Sequence, residues 1–248
     1  MLFEKACAAL LLVLLAPVFG LAALLVRLTS KGPALYTQVR QGEQGKEFTI
    51  YKFRTMYRDC EKSTGACWSV PGDARVTPIG RLFRDFHVDE LPQLWNVVRG
   101  EMRFLGSRPE RPEIAVRLAE SISRYEERLQ VAPGLTGLAQ ILLPPDFNLQ
   151  SVRRKLAYDL YLIENASFAL HARILLCTVL HIACVPFATI RGLLVVPTLD
   201  NAGLPAMIRP DSGIDLDLSA GNDDLSCSRQ IPRIASRESS RLLAQVCN

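Results

Sequence analysis

The sequence lacks the cysteine pairs and the charge excess that several common protein classes require. Its seven cysteines are scattered and odd in number, and none belongs to a CxxC pair. This excludes a disulfide framework and predicts reduced thiols on the cytosolic side. Cys60 and Cys67, in a polar loop, are not expected to form a metal site. The net charge of +4 is too small to predict nucleic-acid binding, but it suits an anionic membrane face or phosphorylated substrates.

The segment from Ala6 to Val26 has no charged residue and is long enough to cross a bilayer core. Pro17 and Gly20 lie in its middle, where a proline removes a backbone hydrogen bond and bends a helix. Three interpretations stay open: a cleaved signal peptide, a straight span, and a bent helix that enters and leaves by the same face. Basic residues are more numerous after the segment than before it. Both membrane-resident interpretations therefore place the following domain in the cytoplasm.

Short periodic segments after residue 30 predict a small mixed domain. Residues 34–40 and 48–54 have strand character and are joined by a glycine-bearing turn, which predicts a β-hairpin. Lys52 and Arg54 share one face of the second strand. They are either a solvated strand edge or a cationic wall that faces a phosphate.

Helical spacing predicts two longer helices, over 112–131 and 151–163. The first has an apolar stripe of Ile114, Leu118, Ile122 and Tyr125. Residues 168–196 are apolar but interrupted by polar side chains, which favours amphipathic helices in the membrane interface. The remaining residues, 198–248, are polar and predict a disordered tail.

Two adjacent carboxylates, Asp89 and Glu90, directly precede Leu91-Pro92, and proline is well tolerated in a first helical turn. Apolar residues at helical spacing predict a following helix with one buried stripe. They are Leu91, Leu94, Trp95 and Val98. The helix dipole keeps acids at this position ionised, and the structural alternative is an ordinary acidic helix cap.

A pair of ionised acids can hold a divalent cation or supply an oxygen nucleophile. Arg108 follows between Ser107 and Pro109, and a guanidinium group binds phosphate oxygens in a bidentate manner. Together these residues predict phosphate chemistry with Mg²⁺.

The ordered motifs resemble those of the bacterial sugar transferase family, the monotopic polyprenyl-phosphate hexose-1-phosphate transferases. The resemblance runs from about Leu2 to about Leu194 and leaves out the tail. Its motifs are the apolar helix with Pro17, then Tyr51–Met56, Asp73–Thr77, Asp89–Leu94 with Asn96-Val97, Gly106–Glu110, Pro133–Gly137 and Asp159–Tyr161.

The expected fold is α+β and has three parts. Residues 1–29 form a re-entrant membrane helix bent at Pro17. Residues 30–197 form a small, mostly helical transferase domain with a short β-hairpin and interfacial helices, and residues 198–248 form the tail. The expected location is the bacterial inner membrane, with the catalytic domain on the cytoplasmic face.

The resemblance also implies a reaction in which a nucleotide-diphosphate sugar, with a UDP-hexose expected, gives its sugar-1-phosphate to a polyprenyl phosphate. Asp89 matches the nucleophile that forms an aspartyl-phosphosugar intermediate, and Glu90 matches the neighbouring acid associated with Mg²⁺. Both are assigned to the metal. The expected partners are the donor, undecaprenyl phosphate as the default acceptor and membrane lipid, without nucleic acid, and a homo-oligomer is left open. The products are UMP and a lipid-linked sugar that initiates glycan or exopolysaccharide synthesis.

Four further residues are expected to bind substrate. Lys52, Arg84 and Arg108 are predicted to contact phosphate oxygens, and Asp159 is predicted to orient one of them or the metal. A helix-surface salt bridge with Lys155 is the structural alternative for Asp159.

The sequence departs from the family pattern at Ala132, where a basic residue is common, and at 141–145, where a polar segment is common. These departures concern the nucleotide contacts and the choice of sugar. Two other functions are weighed against the enzyme: a catalytically impaired family member that acts as a membrane scaffold for glycan-assembly partners, and an exported binding protein with a cleaved signal.

Overall fold

Prolines and glycines divide the chain into short helices and two small sheets, an α+β arrangement. The structure is a computed structural model that describes residues 2–60, 72–143, 149–183, 185, 190 and 192. Its helices are α1 (Leu2–Leu14), α2 (Ala16–Thr29), α3 (Pro78–Asp85), α4 (Leu94–Arg99), α5 (Pro112–Ser121), α6 (Leu138–Leu142), α7 (Leu149–Glu164) and α8 (Phe168–Ile182). Its strands are β1 (Leu35–Gln41), β2 (Glu47–Phe53), β3 (Arg103–Leu105) and β4 (Gly134–Thr136). The predicted tail and Cys67 lie outside the described residues.

The N-terminal apolar segment forms two helices, α1 and α2, that meet at Leu15 with a bend of 62°. Pro17 occupies the first turn of α2, where its missing N–H is tolerated but the helix before it cannot continue unbroken. Within the part of the chain that the structure describes, no single helix meets the length and hydropathy of a membrane span, whereas this bent pair does. The predicted bend is therefore confirmed.

Each arm of the bent pair packs into the domain through its own apolar cluster. Ala8 of α1 is fully buried with Ile50 and Val97, in a cluster that also includes Leu94 and Met102. On α2, Val26 is buried in a second cluster with Phe53 of β2 and Phe83 of α3. The same domain thus holds both arms, and the bent pair contributes to its core.

Strands β1 and β2 form the predicted antiparallel hairpin, with Tyr36 opposite Lys52. Asn96 of α4 has no exposed surface and joins the hairpin to the following helix. Its side-chain amide donates to the Thr49 carbonyl at 2.7 Å and accepts from the Tyr51 backbone N–H at 3.3 Å. This bridge fixes the residues next to Lys52 against the segment that carries the paired acids.

The second sheet joins β3 to β4 in parallel, with Arg103 opposite Gly134 and Leu105 opposite Thr136. The chain after β3 passes so close to β4 that a Cβ atom on Gly134 would lie 2.1 Å from the backbone nitrogen of Gly106. Glycine is required at this crossing because the two backbones touch. The crossing places the segment containing Arg108.

Two predicted helices differ from those observed. The helix predicted over 112–131 ends at Ser121, and the chain then passes through Arg124, with a left-handed φ of 63°, into a 3₁₀ helix at Tyr125–Gln130. All four stripe residues are nevertheless buried. The stripe predicted for α4 is wrong at Trp95, which is 48 % exposed, because the buried face is formed by Leu94, Asn96 and Val97.

Replacing Gly134 by alanine tests the backbone crossing. The added methyl group would overlap the Gly106 backbone, and overpacking of this kind costs about 1–3 kcal/mol. We expect the melting temperature to fall by roughly 3–10 °C. Gly20→Ala is the matched control because nothing lies within 4 Å of its Cβ position. Equal melting temperatures for the two variants would contradict this account of the crossing.

Candidate active site

Asp89 and Glu90 lie in a 3₁₀ helix, Val88–Gln93, that directly precedes α4. His87 begins this turn with a left-handed φ of 54°, and its carbonyl accepts from the Glu90 backbone N–H at 3.2 Å. The predicted position of the acids, just before a helix, is confirmed. The sharp reversal at His87 turns both carboxylates toward β2 and the Arg108 segment, where their charged neighbours lie.

The Glu90 carboxylate joins the hairpin to the Arg108 segment. The Lys52 ammonium donates to Glu90 Oε1 at 2.9 Å, and the Arg108 guanidinium donates to Oε1 and Oε2 at 2.5 and 3.3 Å. Burial alone would raise the pKa of this carboxyl, but Arg108 and Lys52 hold the pKa of Glu90 well below its ordinary value. Glu90 is therefore a fixed negative charge shared by two cations.

Asp89 is in a different electrostatic environment from its neighbour. It is 8 % exposed, and burial together with the adjacent Glu90 charge raises the pKa of Asp89 to about 6. Lys52, Arg108 and Arg84 oppose this rise. At neutral pH the carboxylate is mostly ionised, yet it is more basic than an exposed aspartate.

Arg84 approaches Asp89 from α3 and is positioned by Thr55. The Arg84 Nε–H donates to Thr55 Oγ1 at 3.0 Å. Thr55 is itself fixed, because its carbonyl accepts from the Thr77 backbone N–H at 2.9 Å and packs directly against Gly80. The Asp73–Thr77 motif thus builds the support for Arg84, with Thr77 also capping α3.

Arg54 does not join this cluster, so the predicted cationic wall is wrong for this residue. It lies beyond the end of β2, where its guanidinium donates to the carbonyls of Ser30 and Lys31 at the end of α2. The alternation of the strand stops at Phe53, and the exposed carbonyls of a helix C-terminus attract a cation. Lys52 therefore binds an acid of the candidate site, whereas Arg54 binds carbonyls at the end of α2.

Asp159 lies on α7, outside the group formed by Asp89, Glu90, Lys52 and Arg108. Its side chain is 2 % exposed, and its Oδ2 is 3.0 Å from a terminal nitrogen of Arg128. The surface salt bridge considered for Asp159 does not describe this residue, because the carboxylate is buried. Its predicted role of orienting a phosphate-binding group stays a prediction.

Sequence reasoning missed Thr55, Asn96 and Arg128 as residues that support the site. Thr55 and Asn96 stand inside motifs that were recognised, but nothing local shows which distant atoms their side chains bind. Arg128 falls within the helix predicted over 112–131, outside the apolar stripe of that helix. Its burial depends on the break at Arg124, which no helix-breaking proline or glycine marks.

Asp89 and Glu90 fit a divalent cation of the magnesium type. Both supply carboxylate oxygens, and Mg²⁺ commonly takes one or two carboxylates from the protein and completes its shell with waters and substrate phosphates. Within the described ranges no cluster of three or more histidine, cysteine or acidic side chains could enclose a metal ion. The donor set therefore fits a metal shared with a phosphorylated substrate, with Glu90 also bonded to Lys52 and Arg108.

Comparison with known proteins identifies the family. The family model for bacterial sugar transferases matches residues 1–184. The chain belongs to the bacterial sugar transferase family. The predicted resemblance is thereby confirmed, and it includes the bent helices, the hairpin, the paired acids and α7.

The curated relatives that the chain matches differ in length, and the chain spans only about a quarter to two fifths of the length of two of them. It is 44 % identical to an undecaprenyl-phosphate glucose phosphotransferase of Komagataeibacter xylinus, over 56 % of this chain and 27 % of the relative. It is 41 % identical to a UDP-glucose:undecaprenyl-phosphate glucose-1-phosphate transferase of Caulobacter vibrioides, over 71 % of this chain and 66 % of the relative. It is 39 % identical to an exopolysaccharide production protein of Rhizobium leguminosarum bv. phaseoli, over 68 % of this chain and 86 % of the relative.

The raised pKa of Asp89 predicts a pH-dependent effect on stability. Ionising this carboxyl lowers the free energy of unfolding, because its pKa is higher in the folded state than in the unfolded state. The loss begins as the pH rises above the ordinary pKa of 3.8 and is complete above about 6. Asp89→Asn should therefore raise the free energy of unfolding by about 1–3 kcal/mol at pH 7.5. The gain should vanish near pH 4, where the wild-type carboxyl is protonated.

Melting temperatures measured in EDTA at pH 4, 6 and 7.5 check this expectation. Asp85→Asn is the control, since Asp85 is an exposed acid at the end of α3. An Asp89→Asn variant that is no more stable than wild type at pH 7.5 would show that the buried charge is not penalised.

Proposed function

We propose that this chain transfers a sugar-1-phosphate from a nucleotide-diphosphate sugar to a membrane polyprenyl phosphate. The observation that carries the proposal is the arrangement of the two acids. Asp89 is buried and has a raised pKa, and the carboxylate of the adjacent Glu90 is shared by Lys52 and Arg108. The names of the Caulobacter and Komagataeibacter relatives support a UDP-hexose donor and an undecaprenyl phosphate acceptor. The Rhizobium relative's name supports a place in exopolysaccharide production.

In the proposed reaction Asp89 attacks the phosphorus atom that bears the sugar. A bond forms from the carboxylate oxygen to phosphorus, and the bond from that phosphorus to the bridging oxygen breaks, so that UMP leaves. The resulting aspartyl-phosphosugar is then attacked by a polyprenyl phosphate oxygen, which releases Asp89. A carboxylate with a pKa of about 6 suits the first step because it is ionised at neutral pH and more basic than usual.

Positive charge in the site offsets the charge of the diphosphate. Phosphoryl transfer depends mainly on positioning and electrostatic stabilisation, and the charges of Lys52, Arg84 and Arg108 all act on Asp89. We assign phosphate contacts to these three residues. Glu90 keeps Lys52 and Arg108 in place before substrate binds, so little reorganisation is needed.

Asp89 and Glu90 would hold a Mg²⁺ ion together with the donor diphosphate. When bound, the ion would neutralise charge on the leaving nucleotide phosphate. The two carboxylates lie in one 3₁₀ turn, so their backbone positions are set by the same local structure.

A re-entrant membrane helix is part of the proposal. Both arms pack on the same domain, and Glu4, near the start of α1, is ion-paired with Arg103 of β3 at 3.3 Å. A straight span would carry Glu4 across the bilayer, away from this partner. The basic residues after α2 favour a cytoplasmic position for the domain, at the inner membrane.

Release of nucleoside monophosphate tests the reaction directly. Purified protein in nanodiscs would receive Mg²⁺, undecaprenyl phosphate and a panel of UDP-sugars. We expect UMP from at least one sugar, and its loss in EDTA and in Asp89→Asn. Asp85→Asn, a neutralised acid four residues earlier, should keep wild-type turnover.

Silence of the folded wild-type protein across the panel, beside an active relative as positive control, would argue against the transferase. It would favour the scaffold function considered from the sequence. Turnover that survives Asp89→Asn would keep the transferase but remove Asp89 as nucleophile.

Lys52 and Arg54 form a matched pair for separating catalysis from stability. Lys52→Gln removes a cation from Glu90 and should lower kcat/KM for the donor about 100-fold. The melting temperature should change little, because Glu90 keeps Arg108 and the cost of burying the Lys52 ammonium, which lowers its pKa, is removed as well. Arg54→Gln leaves carbonyls at the end of α2 without their donor, so it should lower the free energy of unfolding by about 1–3 kcal/mol and leave KM unchanged. UMP assays and thermal unfolding measure both, and the opposite pattern would contradict the assignment.

A further inference from the structure

Arg128 is a buried cation, and its position in the sequence does not predict that burial. It lies in the 3₁₀ helix Tyr125–Gln130 and is 5 % exposed. One terminal nitrogen donates to the Tyr125 hydroxyl at 2.9 Å, and the guanidinium lies 5.2 Å from the centroid of the same ring. The other terminal nitrogen is 3.0 Å from Asp159 Oδ2.

The nitrogen that approaches Asp159 also donates to the backbone carbonyl of Arg108, at 2.7 Å. The side chain of Arg108 in turn holds Glu90. A continuous chain of polar contacts therefore leads from α7 to the paired acids. It runs through the backbone of Arg108, which is the part of that residue that sets where its guanidinium can reach.

Other contacts hold the residues on either side of Arg108, and Arg40 donates to the Pro109 carbonyl at 3.3 Å. Ser107 is fixed by a hydrogen bond from the Gly134 backbone N–H to its carbonyl, at 2.9 Å. Pro109 follows and restricts Arg108 to extended backbone. Arg128 supplies the donor for the carbonyl between these two restraints, and it is charged, which makes the hydrogen bond stronger than one from a neutral donor.

Burying a charged pair is costly, and a pair is a weak means of adding stability. Without Asp159 the buried Arg128 guanidinium would lose its paired carboxylate, and it would move toward solvent or toward other acceptors such as Glu110, whose charge also acts on it. A buried pair at this place is explained if the position of Arg108 matters more than the energy of the pair.

We propose that Arg128, held by Asp159 and Tyr125, is a positioning residue that fixes Arg108 for phosphate binding. The inference rests on the proposed transferase function for its kinetic readout. It gives Asp159 an indirect task, because Asp159 acts on Arg108 through Arg128.

Two mild substitutions test the chain of contacts from its far end. Asp159→Asn removes the counterion, and we expect kcat/KM for the donor to fall about 10–100-fold, as for other outer partners of a functional group. Most of the loss should be in KM, since Arg108 is assigned to substrate binding. Tyr125→Phe keeps the ring, and we expect a fall of about 3–10-fold in the same direction.

Glu164→Gln is the matched control. Glu164 is also an acid of α7 paired with an arginine near the 3₁₀ helix, Arg124, at 3.4 Å, but it is exposed. It should leave kcat and KM within about 2-fold of wild type.

Combining Asp159→Asn with Arg108→Lys separates positioning from general support of the fold. If Asp159 acts through Arg108, adding Asp159→Asn to Arg108→Lys should cost less than about 3-fold, because the effects of coupled residues are not additive. Independent effects that multiply would overturn the proposal. So would an Asp159→Asn enzyme with wild-type KM and kcat.

Hydrogen–deuterium exchange provides a readout that needs no turnover. In Asp159→Asn, peptides covering residues 106–110 should exchange faster than in wild type, while those covering β1 and β2 stay unchanged. If no UDP-sugar is turned over but this exchange increases, the transferase fails and the positioning contact stands. Unchanged exchange at 106–110 would overturn the inference whether or not the protein is an enzyme.

Discussion

The shared carboxylate of Glu90 is the interaction on which the site depends. Lys52 comes from the hairpin, Arg108 from the segment after β3, and Glu90 from the turn before α4. These parts belong to separate pieces of secondary structure, none of which is large enough to impose the arrangement alone. Because the acid accepts from both cations, moving any one segment would leave a charged group without its partner, and a partly buried charge makes that costly.

The same contact divides the work between two neighbouring acids. Glu90 takes most of the available positive charge, which lowers its pKa, and Asp89 is left with burial and a negative neighbour, which raise its pKa. Two adjacent carboxyl groups in one turn thus have pKa values shifted in opposite directions. In the proposed mechanism Glu90 keeps Lys52 and Arg108 in place, Asp89 is the attacking group, and both acids would hold the metal ion.

Local pattern was sufficient for much of this architecture. Pro17 predicted the bend between the first helices, the glycine-bearing turn predicted the hairpin, and Asp89-Glu90 before Pro92 predicted acids at the start of a helix. Arg54 and Trp95 were misplaced because alternation and helical spacing say which side chains share a face, but not which tertiary partner lies opposite. The break at Arg124 has no local mark, since the buried packing of Tyr125 and Arg128 determines it.

The packing of the bent helices has a consequence for how this chain can be divided. Ala8 and Val26 are as buried as the centre of a soluble core, and they contact the strand and helix residues that frame the acids. The bent pair is therefore an interior wall of the domain and not a detachable segment. Joining the residues after Thr29 to a different N-terminal segment would open that wall, so the bent helices and the candidate site cannot be separated without exposing the core.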